Sequence, residues 1–126
     1  MKVSIITISN NNEDTLVDTI QSVVAQDYPD IEYLILDAQS KDGTNKIVEK
    51  YYSQIAHFVS EESQCMYYAI NKGIEMAKGE LIGILYPDEV YADAKVISEV
   101  VSAIDKSESD ACYGDFVFVD LKNINR

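Results

Sequence analysis

Polar and acidic side chains stand at three points of the sequence where apolar runs end. These residues are Ser9 and Asn11, Asp37, and Asp88 with Glu89. Carboxylate oxygens are ligands that Mg²⁺ and Mn²⁺ prefer in proteins, and a carboxylate also accepts hydrogen bonds from a base or a ribose. Such residues can form a polar site in which a divalent metal ion bridges a diphosphate.

The acidic residues each have a structural interpretation as well. Asp88 and Glu89 can form an acidic turn that leads into the next helix, and Asp37 can bond the backbone amides of residues 40–43. For Asp37 the ligand-binding role and the turn-bonding role can coexist. His57 stands in a short apolar segment, which favours a structural role over a catalytic one.

Two well-known phosphate-binding motifs are missing from the first turn. Residues 10–14 read N-N-N-E-D, without a glycine, so neither G-x-G-x-x-G nor G-x-x-x-x-G-K-[ST] is present there. A nucleotidyltransferase, which would need a glycine-rich basic turn to hold a triphosphate, is therefore disfavoured. Any phosphate bound here must be neutralised in another way, for which the acidic residues and a metal ion are the candidates.

Length and charge limit the function further. The 126 residues are the size of one domain, and 22 acidic against 10 basic side chains give a net charge of −12. Such a surface repels a phosphate backbone, so nucleic acid is not expected as a partner. Because residues 1–7 read as a strand and not as a signal peptide, we expect a cytoplasmic protein, or one peripheral at the inner face of the membrane.

The elements that position these residues follow from the hydrophobic pattern. Short β-branched or apolar runs predict strands at 3–8, 31–36, 55–59, 81–85 and 116–119, with amphipathic helices between successive pairs. The run 81–85 is typical of a central strand that is buried on both faces. The alternation predicts a single α/β domain with a mostly parallel sheet and helices on both faces. Ligands of such sheets bind beyond the carboxyl ends of the strands, where the polar residues lie.

Several motifs in a fixed order resemble the donor-binding half of the family 2 glycosyltransferases, which have a GT-A fold, a Rossmann-like arrangement. The motifs are V-S-I-I-T-I-S-N-N-N at 3–12, S-V-x-x-Q-x-Y-P at 22–29, D-x-x-S-x-D-G-T at 37–44, N-K-G at 71–73 and Y-G-D at 113–115. The resemblance extends over essentially the whole chain. It implies a transferase that uses a nucleotide-sugar donor.

The resemblance also implies roles for single residues. Thr7, Ser9 and Asn11 would line the nucleotide pocket, Asp37 would bond the base, and Asp88 would belong to the acidic motif that holds Mg²⁺ or Mn²⁺ and the diphosphate. Glu89 would complete that metal site. The donor would be a UDP-sugar and the acceptor a glycan or a lipid-linked glycan of a cell-surface polysaccharide.

By the same resemblance, residues 1–126 would form the donor-binding domain, ahead of the acceptor-binding half. The catalytic base is then expected beyond Arg126, so no catalytic residue is assigned within the chain. Apolar surface that would face the second half would be exposed, which predicts self-association.

The chain departs from the family pattern at several positions near the predicted site. They are Asn10, Ser63, Gln64, Cys65, Tyr68 and Tyr86. Tyr86, in Y-P-D-E at 86–89, stands where the family usually has an acid, so the implied metal site is weakened. The departures support an alternative hypothesis, a degenerate non-catalytic module that keeps the fold for nucleotide binding or for interaction.

Overall fold

Strands and helices alternate along the chain, as the hydrophobic pattern predicts. The computed structural model describes residues 1–62 and 65–120. The strands are β1 (Val3–Ser9), β2 (Ile31–Asp37), β3 (His57–Ser60) and β4 (Leu81–Ile84). The helices are α1 (Leu16–Val24), α2 (Thr44–Lys50), α3 (Met66–Met76) and α4 (Val96–Ser107). No helix among the described residues is long and apolar enough to cross a membrane.

The four strands form one parallel sheet in the order β3-β2-β1-β4. In the register of β1 and β2, Ser4 lies opposite Glu32 and Ser9 lies opposite Asp37. Because all strands run in the same direction, the turns that follow them lie at one edge, here called the carboxyl edge. The opposite side of the sheet is called the amino edge.

Helices cover both faces of the sheet, and each face has its own hydrophobic core. Alternate residues of β1 point to opposite faces: Val3 and Ile5 pack with α1, α2 and α4, while Ile6 and Ile8 pack against α3. β1 is buried along its whole length. The predicted α/β domain with a parallel sheet is therefore confirmed.

The apolar sequence of β4 predicts a central strand, but β4 is the outermost strand on one side of the described sheet. Within the described residues no strand pairs with its outer side, and Ile82 and Ile84 are 38% and 40% exposed. The prediction of a central strand at 81–85 is thus wrong for the described part of the chain. β1 and β2 occupy the centre because both of their sides are hydrogen-bonded to neighbours.

The predicted strand at 116–119 is also absent from the described structure. Residues 111–120 lack regular secondary structure, and Phe116 and Phe118 are 79% and 90% exposed. A strand exists only where its backbone pairs with a neighbour, and this segment pairs with none of the described strands. Its β-branched and aromatic composition is therefore not sufficient to make it a strand here.

Candidate functional site

The Asp37 carboxylate is the hub of a hydrogen-bond network at the carboxyl edge. Its Oδ1 accepts hydrogen bonds from the hydroxyls of Ser9, at 3.0 Å, and of Ser40. Its Oδ2 accepts from the Ser40 amide at 2.9 Å and from the Ser60 hydroxyl at 2.7 Å. Asp37 is only 2% exposed, so these donors surround its carboxylate in place of water.

The network continues from Asp37 into the turn after β1. The hydroxyl of Ser40 accepts a hydrogen bond from the Asn11 amide at 2.8 Å. The side-chain oxygen of Asn11 in turn accepts from the Lys41 amide at 2.7 Å. Asn11 has a φ of 55° and Gln39 has a φ of 53°, a left-handed conformation that costs non-glycine residues free energy. The two loops hold each other in that conformation.

Further hydrogen bonds join the same two loops. The Asn12 amide donates to Thr44 Oγ1 at 2.9 Å, and the Glu13 amide donates to Asp42 Oδ2 at 3.1 Å. Desolvation raises the pKa of the Asp42 carboxyl, but hydrogen bonds from Thr44 and from the Glu13 amide outweigh it and hold the pKa below its usual value. The segments after β1 and β2 therefore act as one cross-braced unit.

Thr7 lies inside the sheet and is fully buried. Its hydroxyl is 3.1 Å from the hydroxyl of Tyr33 on β2. Burial raises the pKa of Tyr33 above its usual range, with the contact to Thr7 opposing that shift. Tyr33 therefore stays neutral, and the pair joins β1 to β2 in the interior of the sheet.

Asp88 and Glu89 lie in the turn that follows β4, and both are exposed. Glu89 Oε2 accepts the Tyr86 amide at 3.0 Å, so this turn is partly closed on itself. The Asp88 carboxylate makes no hydrogen bond or ion pair with the described residues. The backbone carbonyl of Glu89 accepts the Thr19 hydroxyl at 2.8 Å, which fixes the turn to α1.

These carboxylates fit a divalent ion only as part of a larger ligand set. Among the described residues there is no group of three or more His, Cys, Asp or Glu side chains that could hold a metal. Mg²⁺ is commonly bound through one or two carboxylates together with phosphate oxygens and water. Asp88 and Glu89 supply that number of ligands, so the donor set fits a metal ion that arrives with a diphosphate.

The structure places four of the five nucleotide residues named from the resemblance at the carboxyl edge, while Thr7 lies two residues before the end of β1, inside the sheet. Thr7, Ser9 and Asp37 are buried, whereas Asn11 and Asp88 are exposed. The turn-bonding interpretation of Asp37 holds for Ser40, whose amide it accepts. Ser63 and Gln64, two of the departures from the family pattern, lie outside the described residues.

The sequence reasoning missed Ser60 as a site residue. Ser60 is the last residue of β3 and is exposed, yet its hydroxyl reaches the buried carboxylate of Asp37. The sequence contained a signal for this contact. Ser60 directly follows one predicted strand and Asp37 directly follows the strand before it, and the ends of parallel strands lie at the same edge of a sheet.

A second buried carboxylate, also missed from the sequence, lies at the amino edge. Glu32 Oε2 accepts the Ser4 hydroxyl at 2.6 Å and the Lys78 amide at 2.8 Å. Nε2 of His57 lies 3.7 Å from Glu32 Oε1, which agrees with a structural role for this histidine. An acid within the apolar run I-E-Y-L-I-L is the signal that could have revealed it, since a buried carboxylate needs partners.

The sequence profile described as glycosyl transferase family 2 matches residues 4–126. The chain belongs to glycosyltransferase family 2. This family 2 chain is 33% identical over 108 residues to TuaG of Bacillus subtilis, a glycosyltransferase named for teichuronic acid biosynthesis. The aligned region covers 83% of the chain and 43% of TuaG. It is 30% identical over 123 residues to WfgD of Escherichia coli, named as a UDP-Glc:alpha-D-GlcNAc-diphosphoundecaprenol beta-1,3-glucosyltransferase, covering 97% of the chain and 48% of WfgD.

Solved structures agree with the family 2 fold. Residues 1–349 of TarS from S. aureus, in complex with UDP-GlcNAc, match with a TM-score of 0.79 and 25% identity over 86% of this chain and 32% of TarS 1–349. The mannosyltransferase PcManGT of Pyrobaculum calidifontis, in complex with GDP-Man and Mn²⁺, matches with a TM-score of 0.75 and 24% identity over 82% of this chain and 32% of PcManGT. The family 2 chain thus spans less than half the length of these relatives.

Proposed function

We propose that residues 1–126 form the donor-binding domain of a glycosyltransferase that uses a nucleotide-sugar to build a bacterial cell-surface polysaccharide. Family membership and the names of TuaG and WfgD support the polysaccharide. The single observation that carries the site is the carboxyl edge. There the Asp88 carboxylate, which has no hydrogen-bond or ion-pair partner among the described residues, lies in the turn after β4, and the cross-braced loops follow β1 and β2. Ligands of parallel sheets bind at this end of the strands.

The residues proposed to bind the nucleotide differ in how far they are buried. Asn11 and Asp88 are exposed and can meet the ligand, whereas Thr7, Ser9 and Asp37 are buried below the surface of the edge. We propose a UDP-sugar as the donor, which the UDP-GlcNAc complex of TarS and the name of WfgD support by similarity. We propose that the buried residues act on the nucleotide by shaping the loops above them.

We propose that Asp88, with Glu89, holds Mg²⁺ or Mn²⁺ at the diphosphate. When bound, such an ion supplies positive charge that stabilises the leaving nucleoside diphosphate. Glu89 reaches the ion only if its side chain gives up the Tyr86 amide or binds through its other oxygen. Asp88 needs no such rearrangement, so it is the principal metal residue of the proposal.

The acceptor is proposed as a glycan or a lipid-linked glycan, supported by the diphosphoundecaprenol in the name of WfgD. Such an acceptor implies work in the cytoplasm at the inner face of the membrane. We assign the catalytic base to none of the described residues.

The experiment that tests this function is calorimetry of UDP binding with and without Mn²⁺. Wild type and Asp88→Ala are compared with Glu80→Ala, a matched control in which an exposed acid at the other end of β4 is removed. We expect Mn²⁺-dependent UDP binding by wild type and by Glu80→Ala. In Asp88→Ala the affinity should fall by about a hundredfold or more, because a charged ligand of the metal is lost.

The alternative function is a degenerate non-catalytic module that keeps the fold for nucleotide binding or for interaction. The departures at Asn10 and Tyr86 favour it, since Asn10 follows β1 and Tyr86 precedes Asp88. In its interaction form, it predicts that UDP, GDP and dTDP all fail to bind at millimolar concentration. Mn²⁺-dependent binding that requires Asp88 would exclude this interaction form.

Self-association stays part of the proposal. Exposed apolar side chains are available for it on β4 and in the segment that follows α4: Ile82, Ile84, Phe116, Val117 and Phe118. Light scattering at high concentration measures it, and a monomer throughout would contradict it.

A further inference from the structure

We propose that Asp37 is a positioning residue for the nucleotide site and not a ligand of the base. Its carboxylate holds together the segments that follow β1, β2 and β3, and through Ser40 it fixes the exposed turn at Asn11. The inference rests on the proposed nucleotide-binding function and changes the role that the family resemblance implies for Asp37.

The carboxylate of Asp37 is already fully occupied by donors of the protein. A carboxylate has about four positions at which it accepts hydrogen bonds, and Asp37 uses its two oxygens for four donors. The side chain is only 2% exposed. A base that bonded Asp37 directly would have to displace one of these donors and open the edge to reach it.

The hydrogen bonds run in one direction from Asn11 through Ser40 to Asp37. An ionised carboxylate only accepts, so the hydroxyl of Ser40 must donate to Asp37. Its lone pairs are then turned away from Asp37, and one of them accepts the Asn11 amide at 2.8 Å. The charge of Asp37 thus determines the orientation of Ser40, and Ser40 determines the position of Asn11.

The turn at Asn11 is held in a left-handed conformation. Asn11 has a φ of 55°, a region that asparagine adopts where local hydrogen bonds support it. The turn therefore needs external support, and the Ser40 hydroxyl and the Lys41 amide provide it. Without Asp37, the Ser40 hydroxyl has no fixed direction, and the turn at Asn11 loses one of its two supports.

Asp37 also holds the end of β3. Its carboxylate accepts the Ser60 hydroxyl, and its backbone carbonyl accepts the Glu61 amide at 3.0 Å. The Ala38 amide donates to the Ser9 carbonyl at 2.8 Å, which completes the connection to β1. Three segments that surround a ligand at this edge are thus attached to one residue.

The test compares Asp37→Asn with Ser40→Ala in calorimetry of UDP with Mn²⁺. Ser40→Ala leaves the carboxylate in place and frees one of its acceptor positions, so it separates the two roles. If Asp37 positions the turn, both variants weaken UDP binding by a similar factor, about tenfold. The double variant then binds UDP as well as the single variant that has the lower affinity, because both substitutions remove the same support. If Asp37 bonds the base, Asp37→Asn weakens UDP strongly while Ser40→Ala leaves UDP unchanged or binds it more tightly, and the inference is overturned.

Glu32→Gln is the matched control, because it alters the corresponding carboxylate at the amino edge of the same two strands. We expect this variant to bind UDP as wild type does. A loss of UDP affinity equal to that of Asp37→Asn would mean that any loss of sheet stability weakens binding, which would overturn the specific role of Asp37.

Amide hydrogen exchange at Asn11 without ligand provides a readout that does not depend on UDP. We expect Asp37→Asn and Ser40→Ala to accelerate exchange at the Asn11 amide, and Glu32→Gln to leave it unchanged. Unchanged exchange in the first two variants would overturn the inference. If wild type binds no nucleotide while the exchange result is as expected, the proposed function fails and the role of Asp37 in holding the turn stands.

Discussion

A pair of a serine and a carboxylate joins β1 to β2 at both edges of the sheet, but the two carboxylates hold different parts of the chain. Ser4 and Glu32 at the amino edge, and Ser9 and Asp37 at the carboxyl edge, join β1 to β2 across 28 positions of sequence. Each pair lies in register, and all four residues are buried. Both are hydrogen bonds from a serine hydroxyl to a carboxylate, so the chemistry of the pair does not explain the difference.

The difference lies in what each carboxylate holds besides its serine. Glu32 binds the backbone amide of Lys78, while the Ser4 hydroxyl accepts the Gly79 amide at 2.8 Å. This end therefore fixes the connection between α3 and β4, and besides it Glu32 contacts only the His57 side chain, 3.7 Å away at the start of β3, among the described residues. Asp37 instead binds hydroxyls from separate loops, one of which reaches the exposed Asn11. A buried acid stabilises the fold at one edge and organises a binding surface at the other, because only the carboxyl edge gathers the loops that can surround a ligand.

The largest effect expected from this comparison concerns a glycine at each edge. A Cβ on Gly79 would lie 2.5 Å from the backbone nitrogen of Ser4 and 2.9 Å from the carbonyl oxygen of Leu81. On Gly43 it would meet Oε2 of Glu13 at 2.5 Å, the end of a flexible, exposed side chain. We expect Gly79→Ala to lower the free energy of unfolding by about 3 kcal/mol and Gly43→Ala by less than about 1 kcal/mol.

Urea denaturation of both variants measures this difference. Equal losses for the two substitutions would contradict the view that Gly79 is enclosed by backbone atoms while Gly43 faces a side chain that can move.

A smaller effect is expected from Glu32→Gln, and it depends on pH. Burial raises the pKa of Glu32, but the hydrogen bonds from Ser4 and the Lys78 amide, with the charges of His57 and Lys2, bring it below its ordinary value of 4.5. A lowered pKa in the folded state means that the ionised carboxylate stabilises the fold above pH 4.5, and that this contribution is lost as the pH falls through the folded-state pKa. At pH 7 we expect Glu32→Gln to cost about 2 kcal/mol.

Denaturation of wild type and Glu32→Gln at a series of pH values checks this prediction. The difference between the two proteins should shrink below pH 4.5. A difference in the free energy of unfolding that stays constant down to pH 3, about 1.5 pH units below the ordinary pKa of 4.5, would show that the charge of Glu32 does not contribute to stability.

The smallest effect concerns strain at the carboxyl edge. Gln39 is exposed, has a φ of 53° and makes no hydrogen bond with the described residues. Gln39→Gly removes the left-handed strain but increases the entropy of the unfolded chain, so we expect a net stabilisation of about 0.5 kcal/mol. Glu108→Gly, at the exposed C-terminus of α4 with a φ of 52°, is the control outside this edge.

Thermal unfolding of the two glycine variants measures the gain. A loss of stability in Gln39→Gly but not in Glu108→Gly would mean that the Gln39 side chain supports the loop. Backbone strain at Gln39 would then not distinguish the carboxyl edge from the amino edge.

Much of the fold could be predicted from local sequence. The runs at 3–8 and 31–36 became β1 and β2 because β-branched residues bounded by turn residues favour strands. The position of β4 and the state of 116–119 could not be predicted in the same way. Both depend on whether another strand pairs with them, and an apolar run carries no information about its partner.

The candidate site divides in a similar manner. The sequence placed Ser9, Asn11, Asp37 and Asp88 at one edge, because the ends of parallel strands must meet there. It did not distinguish the buried Asp37 from the exposed Asp88, since both are acids at the end of an apolar strand. In the structure Asp37 is the last residue of the central strand β2, whereas Asp88 lies in a turn four residues beyond the end of β4.

The sequence by itself thus determined the α/β class, the family and the edge at which polar residues gather, because periodicity and motif order are local properties of the chain. The tertiary structure alone decided that Ser60 meets Asp37, and that Glu32 forms the matching pair with Ser4 at the other edge. These contacts join segments more than 20 positions apart, and only the strand order and register bring their atoms within hydrogen-bond distance.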